Sequence, residues 1–80
     1  MQIQILGTGC ARCKQLEANA QAAAESMGVD AEIVKITALD KIMEYGVMAT
    51  PALAIDGKVK VAGRVAQPKD IVVWIKEAQG

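Results

Sequence analysis

The tightest constraint in the chain is a change of hydrophobic period around its two cysteines. Gln2-Ile3-Gln4-Ile5-Leu6 alternates polar and apolar residues, the period of a half-buried strand, and Gly7-Thr8-Gly9 breaks that pattern. From Cys13 onward the small or apolar residues recur as Leu16, Ala20, Ala23, Ala24 and Met27, one stripe of a helix. Gly28 then stands where a left-handed C-cap belongs. A strand therefore runs through a glycine turn into a helix over about 11–27, with Cys10 and Cys13 at the junction. The register separates the two. Cys13 heads the stripe that the helix turns inward, whereas Cys10 lies just before or at the first helical turn and is predicted to be exposed.

A strand-to-helix unit needs further elements to cover it, and the rest of the chain supplies them. Ala31 to Ile36 reads as a second strand, and Thr37 with Asp40 three residues on is expected to cap a short helix that ends near Tyr45, with Gly46 as its C-cap. Beyond Pro51, Ala52-Leu53-Ala54-Ile55 and Val59-Lys60-Val61 flank Asp56-Gly57-Lys58, and Asp-Gly between two apolar runs is a strong hairpin signal. Pro68 opens a last helix carrying Ile71, Val72, Trp74 and Ile75. The order is β-α-β-α-β-β-α. A helix crossover makes the first two strands parallel and the hairpin is antiparallel, so an α/β fold with a four-stranded mixed sheet flanked by helices is expected. No linker, internal repeat or low-complexity segment interrupts the 80 residues, so residues 1–80 are expected to form a single domain with a modest core.

Composition narrows the possible roles. Apolar residues make up 52% of the chain, yet there is no Phe and only one Trp and one Tyr, so the core is built from Ala, Val, Ile, Leu and Met. Tyr45 and Trp74 fall on apolar stripes and are expected to pack, and the four dispersed methionines are expected to fill gaps. Basic and acidic residues number 9 each, the formal net charge is +0, and no run of like charges occurs, so neither nucleic acid nor a membrane surface is an expected partner. No stretch approaches the roughly 18 apolar residues of a membrane span, and the N-terminus lacks a signal-peptide pattern. A cytoplasmic monomer is the expectation.

The cysteine pair does not read as a structural staple. A bridge between Cys10 and Cys13 closes a ring of four residues and removes little entropy from the unfolded chain, whereas structural disulfides in small secreted domains join distant segments. Residues three apart on a helix have Cα atoms about 5 Å apart, within the range a disulfide accepts, so the pair can open and close. Redox exchange and soft-metal binding both use such a pair. The loop also resembles that of copper-chaperone domains, but it lacks their methionine, and those domains run β-α-β-β-α-β and end on a strand. Two thiolates suffice for linear Cu(I), while a closed zinc site needs four ligands and this chain has no His and no third Cys. No metal site is therefore expected, and a copper or zinc carrier module stands as the alternative reading.

Three segments at matching spacing make the sequence similar to the thioredoxin family. Gly9-Cys10-Ala11-Arg12-Cys13-Lys14 occupies the strand-to-helix junction where that family's redox motif lies. Tyr45-Gly46-Val47, then Pro51, Leu53, Gly57, Val59 and Gly63, resembles the stretch around the family's cis-proline and following hairpin. The resemblance implies a minimal, glutaredoxin-sized thioredoxin fold lacking the first strand and helix of full-length members. It implies a thiol-disulfide oxidoreductase acting in electron transport and cell redox homeostasis. Protein disulfides would be its substrates and a thiol or flavoprotein reductase would act upstream; glutathione-linked, glutaredoxin-type activity is the variant reading, and a binding module without redox turnover is another.

The family also implies a cis bond between Thr50 and Pro51, with both residues beside the sulfurs where an extended partner chain would pair. Cys10 is the expected attacking thiol and Cys13 the resolving one. Exchange needs the thiolate, and a helix N-terminus together with the nearby cations Arg12 and Lys14 is expected to favour it at Cys10. No cofactor is required. The chain departs from typical members in two places: Gly9 and Ala11-Arg12 replace the Trp and Gly-Pro of Trp-Cys-Gly-Pro-Cys, and Gln4 stands where a buried acid is expected, six residues before the first cysteine.

Overall fold

Each change of period in the sequence becomes an element boundary. The computed structural model describes every residue except Cys10 and Gly80. Its elements are β1 (Gln2–Leu6), α1 (Ala11–Met27), β2 (Glu32–Ile36), α2 (Leu39–Glu44), β3 (Ala52–Ile55), β4 (Lys58–Ala62) and α3 (Pro68–Gln79). The strands form one mixed sheet in the order β2-β1-β3-β4. β1 runs parallel to β2, from Gln2 opposite Glu32 to Leu6 opposite Ile36, and antiparallel to β3, with Ile3 opposite Ile55 and Leu6 opposite Ala52. This is the four-stranded mixed sheet that the order of elements implied, in the small α/β arrangement that the resemblance to the thioredoxin family implied.

Helix ends follow from glycines able to hold a left-handed backbone. Gly28 has φ +66°, and the amides of Gly28 and Val29 donate to the carbonyls of Glu25 and Ala24, both at 3.1 Å, which stops α1. Gly46, at φ +76°, closes α2 in the same manner by donating to Met43 O at 2.9 Å. The start of α2 differs from expectation. The first helical bond runs from Ile42 N–H to Ala38 O at 3.0 Å, so Ala38, not Thr37, is the N-cap, and no side chain caps it. Thr37 is one residue too early for the Thr37–Asp40 pair to form a capping box.

The hairpin is the one its Asp-Gly pair announces. Asp56 (φ +50°) and Gly57 (φ +86°) are both left-handed, the two-residue turn whose twist suits paired strands. Asp56 ties the tip to the start of β1: its amide donates to Gln2 O, and its Oδ1 accepts from Gln2 N–H, each at 2.8 Å.

The two faces of the sheet are covered unequally. Ile3, Ile5, Leu53, Ile55 and Val61 pack with Leu16, Ala20 and Ala23 of α1 and Ile71 and Ile75 of α3. On the other face Leu6, Ala52 and Ala54 pack with Ile42 of α2 and Val47. α2 is only six residues long, and toward the hairpin end the same face carries Gln4. Gln4 is 5% exposed, and its amide is satisfied locally: Nε2 donates to Gln2 Oε1 and Oε1 accepts from Gly57 N–H, both at 3.1 Å.

Tyr45 and Trp74 are half-buried against the smaller and the larger cluster respectively, as their stripes implied. The methionines divide. Met1 and Met27 pack at the edge of the larger cluster, but Met43 is 65% and Met48 100% exposed, so these two fill no gap. The reason is positional: Ile42 takes the inward place on α2, and Met48 lies in the loop beyond it. Among the described residues no helix is long and apolar enough to cross a membrane.

Ala20 and Ala23 are fully buried, so α1 meets the sheet with nothing larger than a methyl group at these points. Ala20→Leu is expected to cost about 1–3 kcal/mol by overpacking, while Ala18→Leu at an exposed position of the same helix changes stability by less than about 0.5 kcal/mol. Denaturant midpoints distinguish the two; equal shifts would mean that Ala20 does not seat the helix.

Candidate active site at the strand–helix junction

The end of β1, the start of α1 and the start of β3 converge at one edge of the molecule. Gly7 N–H donates to Ile36 O at 3.0 Å, which carries the β1–β2 ladder one residue past the strand and fixes the Gly7 backbone. Gly9, at φ +87°, turns the chain toward α1, a conformation that side chains disfavour. The first turn of α1 points Cys13 inward, where it is 5% exposed, and leaves Ala11, Arg12 and Lys14 exposed. Cys10, the expected attacking thiol, lies outside the described residues.

Gly7, expected only to break the strand, is also a packing position against Cys13. A methyl group on Gly7 would overlap Sγ of Cys13 and lie 3.9 Å from Cα of Pro51. The Cys13 sulfur thus fills the space that any side chain at residue 7 would need. A glycine at the end of a strand marks a close approach of another group, and that signal was present but absorbed by the turn.

Pro51 reaches the same spot from the other side. It is fully buried, and its peptide bond with Thr50 is cis, as the family resemblance implied. Its carbonyl accepts from Gly63 N–H at 2.9 Å, which ties the segment to the end of β4. A Cβ on Gly63 would sit 3.2 Å from Cβ of Ala49, so the absence of a side chain there gives the loop its seat. Met48, Ala49 and Thr50 remain exposed ahead of the buried proline. The fold therefore brings Cys13, Gly7 and Pro51 together, with Thr50, Arg12 and Lys14 at the surface around them.

A cleft of about 120 Å³ opens beside Cys13, with Ile5, Gly7, Lys14, Glu17 and Lys35 among its walls. Lys35 Nζ of β2 lies 3.8 Å from Glu17 Oε2 of α1 and closes one side of it. The first turn of α1 carries no acidic residue, so the positive end of the helix and the cations Arg12 and Lys14 act in the same direction, toward stabilising an anion such as a thiolate. Among the described residues no group of three or more His, Cys, Asp or Glu side chains is placed to hold a metal ion.

A cysteine buried at the start of the first helix, beside a cis-proline that opens the third strand, is an arrangement suited to thiol chemistry, and comparison with known proteins agrees. Residues 1–76 match the family model of the thioredoxin domain. The chain is 52% identical over 71 residues to a thioredoxin of Methanothermobacter thermautotrophicus, covering 89% of this chain and 92% of that protein. It is 41% identical over 74 residues to a thioredoxin of Methanocaldococcus jannaschii, covering 92% and 85%. The chain belongs to the thioredoxin family and is a thiol-disulfide oxidoreductase.

The packing of Cys13 on Gly7 makes a stability prediction. Gly7→Ala should destabilise the reduced protein by about 1–3 kcal/mol, because the added methyl and the sulfur claim one space. In a Cys13→Ala background most of that cost should vanish, a coupling of about 1 kcal/mol or more in a double-mutant cycle of unfolding free energies. Strictly additive costs would show that the two groups do not meet.

Proposed function

We propose that the chain exchanges disulfides with partner proteins through the dithiol of Cys10 and Cys13, as a single domain of residues 1–80. The observation that carries this reading is the burial of Cys13. At 5% exposure beneath the start of α1 it is closed to a disulfide on another protein, whereas a cysteine three positions away in sequence suits it as a partner, since helical spacing of that kind lies within the range a disulfide accepts. Cys10 then attacks and Cys13 resolves. The Cys10 thiolate attacks one sulfur of the partner disulfide, the S–S bond breaks, and a mixed disulfide forms. Cys13 attacks the Cys10 sulfur, the second partner sulfur leaves as a thiolate and takes up a proton, and the Cys10–Cys13 bond closes. Two electrons pass from dithiol to partner.

Thr50 and Pro51 serve as the docking edge: exposed Thr50 beside buried Pro51 suits pairing with an extended partner chain. Arg12 and Lys14 support the thiolate. A thiol or flavoprotein reductase returns the pair to the dithiol, and the protein works as a monomer in the cytoplasm.

Trapping tests the division of roles. Cys13→Ser should accumulate a covalent adduct with a disulfide substrate, visible as a mass increase that dithiothreitol removes, and Cys10→Ser should accumulate none. Turnover should fall to background in both. An adduct on Cys10→Ser instead would exchange the two assignments.

A further inference from the structure

Before Cys13 can attack, its proton must leave a thiol that is 5% exposed, and the cleft beside it is the way out. Among the described residues the charged and polar groups lining that cleft are few. The ammonium groups of Lys14 on α1 and Lys35 on β2 offer donors and no acceptor, the Thr37 hydroxyl is a poor base, and Ile5 of β1 and Gly7 just beyond it carry no side-chain polar group. Glu17 is the carboxylate among them. It follows Cys13 by four residues on α1, which places both side chains on one helical face with Cβ atoms about 6 Å apart. The ion pair with Lys35 holds it there, with the Glu17 side chain 29% exposed against 64% for Lys35. The buried Gln4 on β1 is no substitute, since an amide is not a base and both ends of this one are engaged by Gln2 and Gly57.

We propose that Glu17 accepts the proton of Cys13 in the resolving step and that Lys35 is a positioning residue for it; this rests on the dithiol cycle above. As the Cys13 sulfur attacks the Cys10 sulfur of the mixed disulfide, its proton crosses the cleft to the Glu17 carboxylate. The bond between Cys10 and the partner sulfur breaks, that sulfur leaves with the electron pair, and Glu17 returns the proton to it or to solvent. The dithiol loses two electrons and two protons, and the partner disulfide gains them. A carboxylate is a much weaker base than a thiolate, so the proton stays on sulfur until the new S–S bond begins to form.

Reduced protein mixed with 5,5′-dithiobis(2-nitrobenzoate) separates the steps. The first thionitrobenzoate released reports attack by Cys10, and the second reports resolution by Cys13. In Glu17→Gln the first phase should stay within about twofold of the parent, while the second slows about tenfold or more near pH 7. The deficit should shrink toward about pH 9, where a thiol ionises unaided. Glu17→Asp should retain part of the rate, and Glu25→Gln, an exposed charge change on the same helix, should leave both phases as in the parent. A second phase unchanged in Glu17→Gln, or slowed by the same factor at both pH values, overturns the proposal. Absence of a first phase in the parent would overturn the dithiol cycle itself.

Discussion

The contact between the Cys13 sulfur and the backbone of Gly7 is the point on which three elements depend. Gly7 is fixed by its hydrogen bond to Ile36 and so belongs to the sheet, while Cys13 belongs to α1, and the sulfur can approach only because residue 7 has no side chain. Pro51 completes the arrangement from β3, and its carbonyl bond to Gly63 extends the tie to β4. Close-packed interiors transmit small volume changes because they have little slack, so one methyl group at residue 7 is felt by a sulfur on another element.

The chemistry is gathered where the covering of the sheet changes character. One face carries two helices and the larger apolar cluster, and the other only α2, with a polar Gln4 toward the hairpin. Polar closure and apolar closure thus divide the lesser face. At the hairpin end, Gln2, Gln4, Asp56 and Gly57 satisfy one another, and at the opposite end Leu6, Ile42 and Val47 lie beneath the loop that leads to Pro51. Regions with few buried apolar contacts open at lower free energy than the rest of a domain, and the exposed stretch Met48, Ala49 and Thr50 is such a region.

Much of this was legible in the order of residues. The strand and helix periods, the glycines after α1 and α2 and the Asp56-Gly57 turn each act through a local conformational demand, so they read directly and their boundaries came out nearly as expected. What escaped reading was non-local or lacked a side-chain signature. Ala38 caps α2 through its backbone alone, which no residue type announces. Gly7 looked like turn punctuation because its demand comes from a sulfur six residues on, and nothing in the pattern of α1 itself marks Glu17, which β2 brings against Lys35. The exposed Met43 and Met48 show the converse: a flexible apolar residue is a gap filler only if a gap lies on its side of the chain.

The alanines that seat α1 have a further effect, which lies in the unfolded chain. An alanine has no rotamers to lose, so burying Ala20, Ala23 and Ala24 orders the helix with almost no loss of side-chain entropy, whereas long side chains lose up to about 2 kcal/mol each. A domain of this size buries too little surface to offset many such losses. The short reach of these residues also leaves α1 no conformational slack on its inner side, so its position over the sheet, and with it the height of the sulfur at its first turn, is set by backbone distance and not by the swing of side chains.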